Sequence, residues 1–217
     1  MDLLPPSLRD PYIRPHGPRP RLPARLLIPH APLTDEEWHA LLPYLRRRPD
    51  TNRGRPCNLR AHFDAFFRVA ATAGAWRELP EAYGRADTIS RHFRRLTHAG
   101  LWERLLSALA LAPKGHVLRR LEGYICRAAR RAIRLRGLRL IVLARRLMLL
   151  RALPGPPMMV ADPDLSEIIP RLPIERRILA WRRDKGAALH FVRGLRNLHT
   201  LVAGRRYIPR SIRECWI

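Results

Sequence analysis

Four basic side chains recur at helical spacing in the segment that follows Asp87. They are Arg91, Arg94, Arg95 and His98. The apolar residues of the same segment, Ile89, Phe93 and Leu96, fall on the opposite side of a helical wheel. Guanidinium groups donate forked hydrogen bonds to guanine edges and to phosphate oxygens. The spacing therefore predicts an amphipathic helix with a packed face and a basic face suited to a nucleic acid, although a solvated face is the ordinary alternative.

The side chains of this helix are expected to make different kinds of contact. Arg91, near the helix start, is placed to contact O6 and N7 of a guanine, whereas Arg94 and Arg95 are equally suited to phosphates. Ser90 and Thr88 are candidates for base or backbone contacts. For Thr88 the alternative is that it only assists the helix cap.

A short helix and a turn precede the basic helix. The short helix is predicted from Trp76 to about Tyr83, and Gly84 opens the turn. Asp87 is predicted to cap the basic helix, which reaches Ala99 and stops at Gly100. This order of elements is typical of a helix-turn-helix, whose second helix enters the major groove of DNA.

Helical periodicity also predicts the elements around this unit. Thr34 and Glu37 form a capping box for a first helix, and Asn58 caps a second that ends at Gly74. Further helices are predicted over Leu101–Leu111, Val117–Ile133, Leu138–Ala152, Ile174–Arg183 and Ala187–Ala203. Trp38, Trp76 and Trp102 each fall on an apolar stripe and are expected in the core. The predicted fold class is all-α.

Two other basic segments are candidate DNA contacts. Arg53 and Arg55 flank a glycine and precede a proline, a pattern suited to a narrow minor groove, with a helix-entry linker as the equal alternative. Arg127, Arg130 and Arg131 start a row that continues to Arg134 at i, i+3, i+4 and i+7. Such a row can follow a phosphate backbone or an anionic membrane, or be a solvated face.

Charge divides the 217 residues unevenly. The whole chain has 42 Lys and Arg against 18 Asp and Glu, a net charge of +24. Residues 1–32 hold nine prolines and are predicted to be a disordered tail. Residues 33–112 are predicted to be the helix-turn-helix domain, and residues 113–217, with 24 basic and 7 acidic side chains, an Arg-rich helical extension. This charge favours double-stranded DNA as the partner.

Several classes of protein are not indicated. Cys57, Cys126 and Cys215 form no Cys-x-x-Cys pair, so neither a disulfide framework nor a zinc site is expected. The start of the chain does not resemble a signal peptide. Four arginines interrupt the apolar stretch Leu138–Leu153, which argues against a membrane span. A reduced cytoplasmic location, associated with the nucleoid, is expected.

Residues 33 to about 111 resemble the helical N-terminal domain of bacterial insertion-sequence transposases of the DDE class. The matching residues are Leu33 to Trp38, Arg53 to Pro56, Trp76 to Pro80, Tyr83-Gly84, Thr88 to Arg95 and Gly100 to Leu106. The resemblance implies recognition of transposon-end DNA by a helix-turn-helix.

The C-terminal half departs from that family. Full-length relatives continue into a domain whose Asp, Asp and Glu hold two divalent metals. Here the later acids lie outside any strand pattern; they are Glu122, Asp162, Asp164, Glu167, Glu175, Asp184 and Glu214. No catalytic residue, metal ligand or cofactor is therefore predicted, and the protein is expected to bind DNA without catalysing strand transfer by itself.

Two alternatives remain open at the level of sequence. One is an active transposase that uses an unrecognised acid triad with divalent metal, or a partner catalytic chain, with self-association also possible. The other is a surface-acting amphipathic protein that lays residues Val117 to Leu153 on anionic lipid.

Overall fold

The computed structural model of the chain describes residues 30–45, 58–172, 174–179 and 185–216. Within these ranges the chain forms α-helices and 3-10 turns without β-strands, so the predicted all-α fold class is confirmed. The proline-rich segment up to residue 29, and the loop that carries Arg53 and Arg55, lie outside the described residues. The helices are α1 Asp35–Leu41, α2 Leu59–Thr72, α3 Ala86–His98, α4 Leu101–Leu111, α5 Val117–Arg120, α6 Glu122–Arg136, α7 Leu138–Arg146, α8 Ile174–Leu179, α9 Lys185–Ala203 and α10 Arg210–Cys215.

Side-chain caps fix the first two helices. The Thr34 hydroxyl accepts a hydrogen bond from the Glu37 amide at 3.2 Å, and the Glu37 carboxylate accepts one from the Thr34 amide at 2.9 Å. This reciprocal pair is the predicted capping box. Asn58 accepts from the amide of Ala61, as predicted. α2 ends one residue earlier than expected, because Ala73 rather than Gly74 adopts the left-handed conformation, with φ of 51°.

Aromatic rings of α2, α3 and α4 form the centre of the core. Phe63 and Phe66 are fully buried on α2, and the centroid of the Phe66 ring lies 5.3 Å from the centroid of the Phe93 ring on α3. Phe93 in turn lies 5.3 Å from Trp102 on α4, which has no exposed surface. Each such ring stabilises the fold by about 1.5–3 kcal/mol through burial alone. Trp102 is thus a core anchor, as predicted, and Trp38 and Trp76 pack against the same core half-buried.

The long helix α6 completes this core. It packs against α2, α3 and α4 through a face of small and aliphatic residues, all buried: Ile125, Cys126, Ala128, Ala129, Ala132 and Ile133. The alanines allow close approach of the neighbouring helices. The core therefore continues across residue 112, where the sequence predicts a domain boundary. The core also buries the apolar face of α6, which is part of the segment that the lipid-surface alternative requires.

The segments after α4 differ from the predicted helices in their bounds. The helix predicted over Val117–Ile133 breaks at Leu121 into α5 and α6. The next one ends at Arg146, because Met148 takes a left-handed conformation with φ of 55°. α7 buries Leu140 and Ala144, an i, i+4 pair. Among the described residues no helix is both long and apolar enough to cross a membrane.

Candidate nucleic-acid interface

Helix α3 begins differently from the predicted basic helix. Its N-cap is Arg85, whose side chain makes no capping hydrogen bond, so the prediction that Asp87 caps the helix is wrong. Asp87 lies inside the first turn, and its carboxylate oxygen lies 2.8 Å from Nη2 of Arg91. The carboxylate is thus used in an i, i+4 ion pair on the exposed side of the helix.

One side of α3 packs into the core. Ile89 has no exposed surface and Phe93 has 3%. Thr97 is also fully buried, where its hydroxyl accepts a hydrogen bond from the Trp102 indole at 2.9 Å. Ser90 is only 9% exposed and lies on this side. The structure therefore places Ser90 away from the surface on which it was predicted to contact DNA.

The other side of α3 carries the predicted basic face. Thr88, Arg91, Arg94, Arg95 and His98 are all exposed, and the first four line one shallow concavity of about 540 Å³. Among the described residues, Arg94 and Arg95 have no acidic partner within ion-pair distance. The structure thus brings together five of the predicted site residues on one surface, with the charge of two arginines available to a ligand.

Two 3-10 turns take the place of the short helix predicted before α3. They span Trp76–Glu78 and Glu81–Tyr83, since Pro80 between them cannot continue a helix. Gly84 then reverses the chain with φ of 93°. The centroid of the Trp76 ring lies 5.2 Å from the centroid of the Phe93 ring, so this turn packs directly on α3. The helix-turn-helix itself stays a prediction, since its first element is not an α-helix here.

Two histidines meet behind the basic face. Nδ1 of His62 on α2 lies 2.7 Å from Nδ1 of His92 on α3. Burial lowers the pKa of His92 to about 4, with the nearby His62 and Arg95 acting in the same direction. Burial, followed by Arg95, also lowers the pKa of His62. Both rings are therefore neutral near neutral pH and form a hydrogen bond between α2 and α3.

Known proteins match the N-terminal half of the described chain. Residues 33–106 match the family model described as a putative transposase of the IS4/5 family (DUF4096). An uncharacterised protein of Sinorhizobium fredii, y4sN, is 30% identical over 78 residues, which are 36% of this chain. The aligned part spans 62% of that relative's length. No solved structure matches the chain.

This region is transposase-like. The family resemblance inferred from the sequence is confirmed for residues 33–106, which contain α1 to α3 and the first half of α4. The exposed basic face of α3 lies wholly inside the transposase-like region. Helices α5 to α10 lie outside it.

The first three arginines of the predicted phosphate row on α6 are half-buried and bind backbone carbonyls, two of them in the transposase-like region. Arg127 donates to the carbonyl of Ala71 at 3.4 Å, and Arg131 donates to that of Gly74 at 3.0 Å. Arg130 donates to the carbonyls of Trp216 and Arg151. Burial lowers the pKa of Arg130 and of Arg131 to about 10. The i, i+3, i+4 row thus joins helix ends inside the protein, which its spacing alone did not indicate.

Three of the acids after the transposase-like region are used in ion pairs. Asp162 lies 2.9 Å from Arg145, and Asp164 lies 2.8 Å from Arg146. Glu122 lies 3.5 Å from Arg119. Within the described ranges, no three His, Cys, Asp or Glu side chains are grouped closely enough to hold a metal ion. Asp184 and the side chain of Glu214 lie outside the described residues.

Proposed function

We propose that this protein binds double-stranded DNA at the ends of an insertion element, and that it does so without catalysing strand transfer by itself. The observation that carries the proposal is the outer side of α3, where Arg91, Arg94 and Arg95 are exposed around one concavity. The match of residues 33–106 to putative transposases supports the insertion element as the source of the DNA. Such a role places the protein in the cytoplasm with the nucleoid.

The proposed mechanism has a general and a specific part. The net charge of +24 attracts the phosphate backbone at long range, with release of counterions. Helix α3 then enters the major groove with its N-terminal turns leading, so that Arg91 meets base edges while Arg94 and Arg95 contact phosphates. Thr88 and His98 border the same surface.

The proposed contact set is smaller than the set predicted from sequence. Ser90 is buried, and Arg130 and Arg131 are used in contacts inside the protein. Arg127 lies on the same side of α6 and reaches Ala71. Arg53 and Arg55 stay candidates for the minor groove, outside the described residues.

Selection of binding sites from random DNA tests the proposal. The wild-type chain should enrich one motif, and Arg91→Ala should lose discrimination at one or two positions of it, by about 1–3 kcal/mol. Arg94→Ala should instead weaken binding to all sequences alike and reduce the salt dependence. Arg193→Ala on α9 removes the same charge away from α3 and is the control. An unchanged motif in Arg91→Ala would exclude α3 as the recognition helix.

Cleavage needs a separate assay. Inverted-repeat DNA is incubated with the full chain and Mg²⁺ or Mn²⁺, and nicks are mapped on both strands. The proposal expects binding without nicking, with strand transfer left to a partner chain that carries the catalytic acids. Metal-dependent nicking at the repeat ends by the purified chain would support the active-transposase alternative instead.

A further inference from the structure

A single acidic side chain lies at the N-terminal end of the basic surface of α3. Asp87 occupies the same helical face as Arg91, Arg94 and His98, and its side chain is 65% exposed. It is ion-paired with Arg91, whose side chain is 75% exposed. Asp87 makes no contact with the core that would explain an acidic residue at this position.

The stability of α3 does not require this ion pair. An exposed i, i+4 pair contributes little to folding, because water screens it and two long side chains lose rotamer freedom. The carboxylate of Asp87 does stabilise the helix slightly, because it lies near the positive end of the helix dipole. It does not cap the helix, since the N-cap residue is Arg85, whose side chain makes no capping hydrogen bond. The position of Asp87 therefore has more bearing on what α3 binds than on how α3 folds.

The ion pair directs Arg91 toward the N-terminus of α3. Asp87 precedes Arg91 by one helical turn, so a guanidinium held by its carboxylate points back along the helix. This is the end of a recognition helix that reaches base edges. The contact uses Nη2 of Arg91, and the remaining N–H groups of the guanidinium can still form a fork on guanine.

The carboxylate also opposes phosphate contacts. The ion pair of Asp87 with Arg91 is close to neutral overall, so Arg91 adds little attraction for a phosphate, whereas at the correct site its remaining N–H groups can still bind a guanine. Binding to arbitrary DNA is thereby weakened more than binding to the correct site. Specificity is a difference between two affinities, and a repulsive element can supply it.

We propose that Asp87 is a specificity-determining residue of this surface, which holds Arg91 toward base edges and disfavours its use as a phosphate contact. The inference rests on the proposed function of α3 as a DNA-reading helix. It adds a residue that the sequence pattern predicted only as a helix cap.

Three variants of the full-length chain test this role. In Asp87→Asn, the ratio of specific to nonspecific affinity should fall about fivefold, mainly because nonspecific binding tightens. The slope of log affinity against log salt on random DNA should steepen by about one, as Arg91 gains a phosphate. Asp87→Glu keeps the charge and can still reach Arg91, so it should retain most of the wild-type ratio. Glu81→Gln removes an exposed acid just before α3 and should change neither quantity.

The outcomes separate this inference from the proposed function. If the wild type selects no motif, DNA reading by α3 fails first. If the wild type selects a motif and Asp87→Asn selects it with the same ratio and salt slope, only the role of Asp87 is overturned. Equal effects of Asp87→Asn and Glu81→Gln would show a general charge effect and also overturn it. Thermal melts of each variant confirm that α3 remains folded.

Discussion

The guanidinium of Arg131 lies 4.6 Å from the centroid of the Trp76 ring and donates a hydrogen bond to the carbonyl of Gly74 at 3.0 Å. Arg131 belongs to α6, outside the transposase-like region, whereas Trp76 opens the turn that precedes α3. Because Trp76 also packs on Phe93, this contact fixes the position of α3 from behind. A residue expected to contact DNA instead supports the helix that is proposed to do so.

Removal of this support should destabilise the protein without removing its exposed basic face. We expect Arg131→Ala to lower the free energy of unfolding by about 2 kcal/mol, from the lost cation–π contact and the unpaired carbonyl of Gly74. Urea denaturation followed by circular dichroism measures the loss. Arg134→Ala, an exposed arginine on the same helix, is the control and should change stability little. A loss as large in Arg134→Ala would mean that charge alone is responsible.

The packing of α6 against the core predicts where the chain can be divided into stable fragments. A fragment of residues 30–112 contains the transposase-like region but lacks α6. It therefore exposes the aromatic rings of α2 and α4 that α6 covers in the full chain. It should therefore unfold without a cooperative transition, whereas residues 30–172, which retain α6 and α7, should unfold cooperatively. Urea titrations that follow tryptophan fluorescence distinguish the two. A cooperative transition in the shorter fragment would support the boundary predicted at residue 112.

The local signals in the sequence predicted much of the fold. The caps at Thr34 and Asn58, and the separate apolar stripes that contain Phe93 and Trp102, depend on neighbours within a few residues. The sequence pattern alone therefore predicts them. The sequence does not predict the end of α2 at Ala73, because alanine rarely adopts the left-handed conformation and Gly74 next to it is the usual signal.

The sequence predicts the exposed arginines of the candidate site correctly on α3 but not on α6. The exposure of a side chain depends on packing between helices that are distant in sequence. The basic side chains of α3 were placed correctly on its outer face, since the opposite face is clearly apolar. On α6, Arg130 and Arg131 have the spacing of a solvated row, yet they reach carbonyls that are distant in sequence. The Asp87–Arg91 pair has the i, i+4 spacing of a helical ion pair, although an acid at the start of a helix is equally typical of a cap.

The buried histidine pair predicts a loss of stability in mild acid. The pKa of His92 is about 4 in the folded protein, below its ordinary value of 6.5, so protons bind preferentially to the unfolded chain as the pH falls through that interval. The free energy of unfolding should therefore decrease by about 1–2 kcal/mol from about pH 7 to about pH 5. His62 and His30, whose pKa values burial also lowers, act in the same direction.

Urea denaturation at a series of pH values measures this effect. His92→Gln keeps a polar partner for His62 but does not titrate, so its stability should depend less on pH over the same interval. His98→Gln removes an exposed histidine from the same helix and should keep the wild-type dependence. If His98→Gln reduced the pH dependence of stability and His92→Gln did not, the acid sensitivity would belong to the exposed surface and not to the buried pair.

The contacts of Arg145 predict a structural role for Asp162. The side chain of Arg145 is 13% exposed. Its guanidinium pairs with Asp162 and donates to the carbonyls of Ala161 and Val160, so α7 is joined to the loop that follows it. Asp162→Asn removes the negative partner of a largely buried cation, and we expect a loss of about 2 kcal/mol in the free energy of unfolding. Asp164→Asn breaks a more exposed pair with Arg146 and should have a smaller effect.

Divalent metal distinguishes this role from catalysis. If Asp162 is an ion-pair partner, Mn²⁺ should shift the melting temperature of the wild type and of Asp162→Asn by the same small amount. A metal ligand would behave differently, because metal that binds only the folded state stabilises it in proportion to its affinity. Stabilisation of the wild type by Mn²⁺ that disappears in Asp162→Asn, but persists in Arg145→Lys, would therefore show metal binding by Asp162. That result would favour the acid-triad alternative, whereas equal shifts would leave Asp162 as the ion-pair partner of Arg145 and exclude it from such a triad.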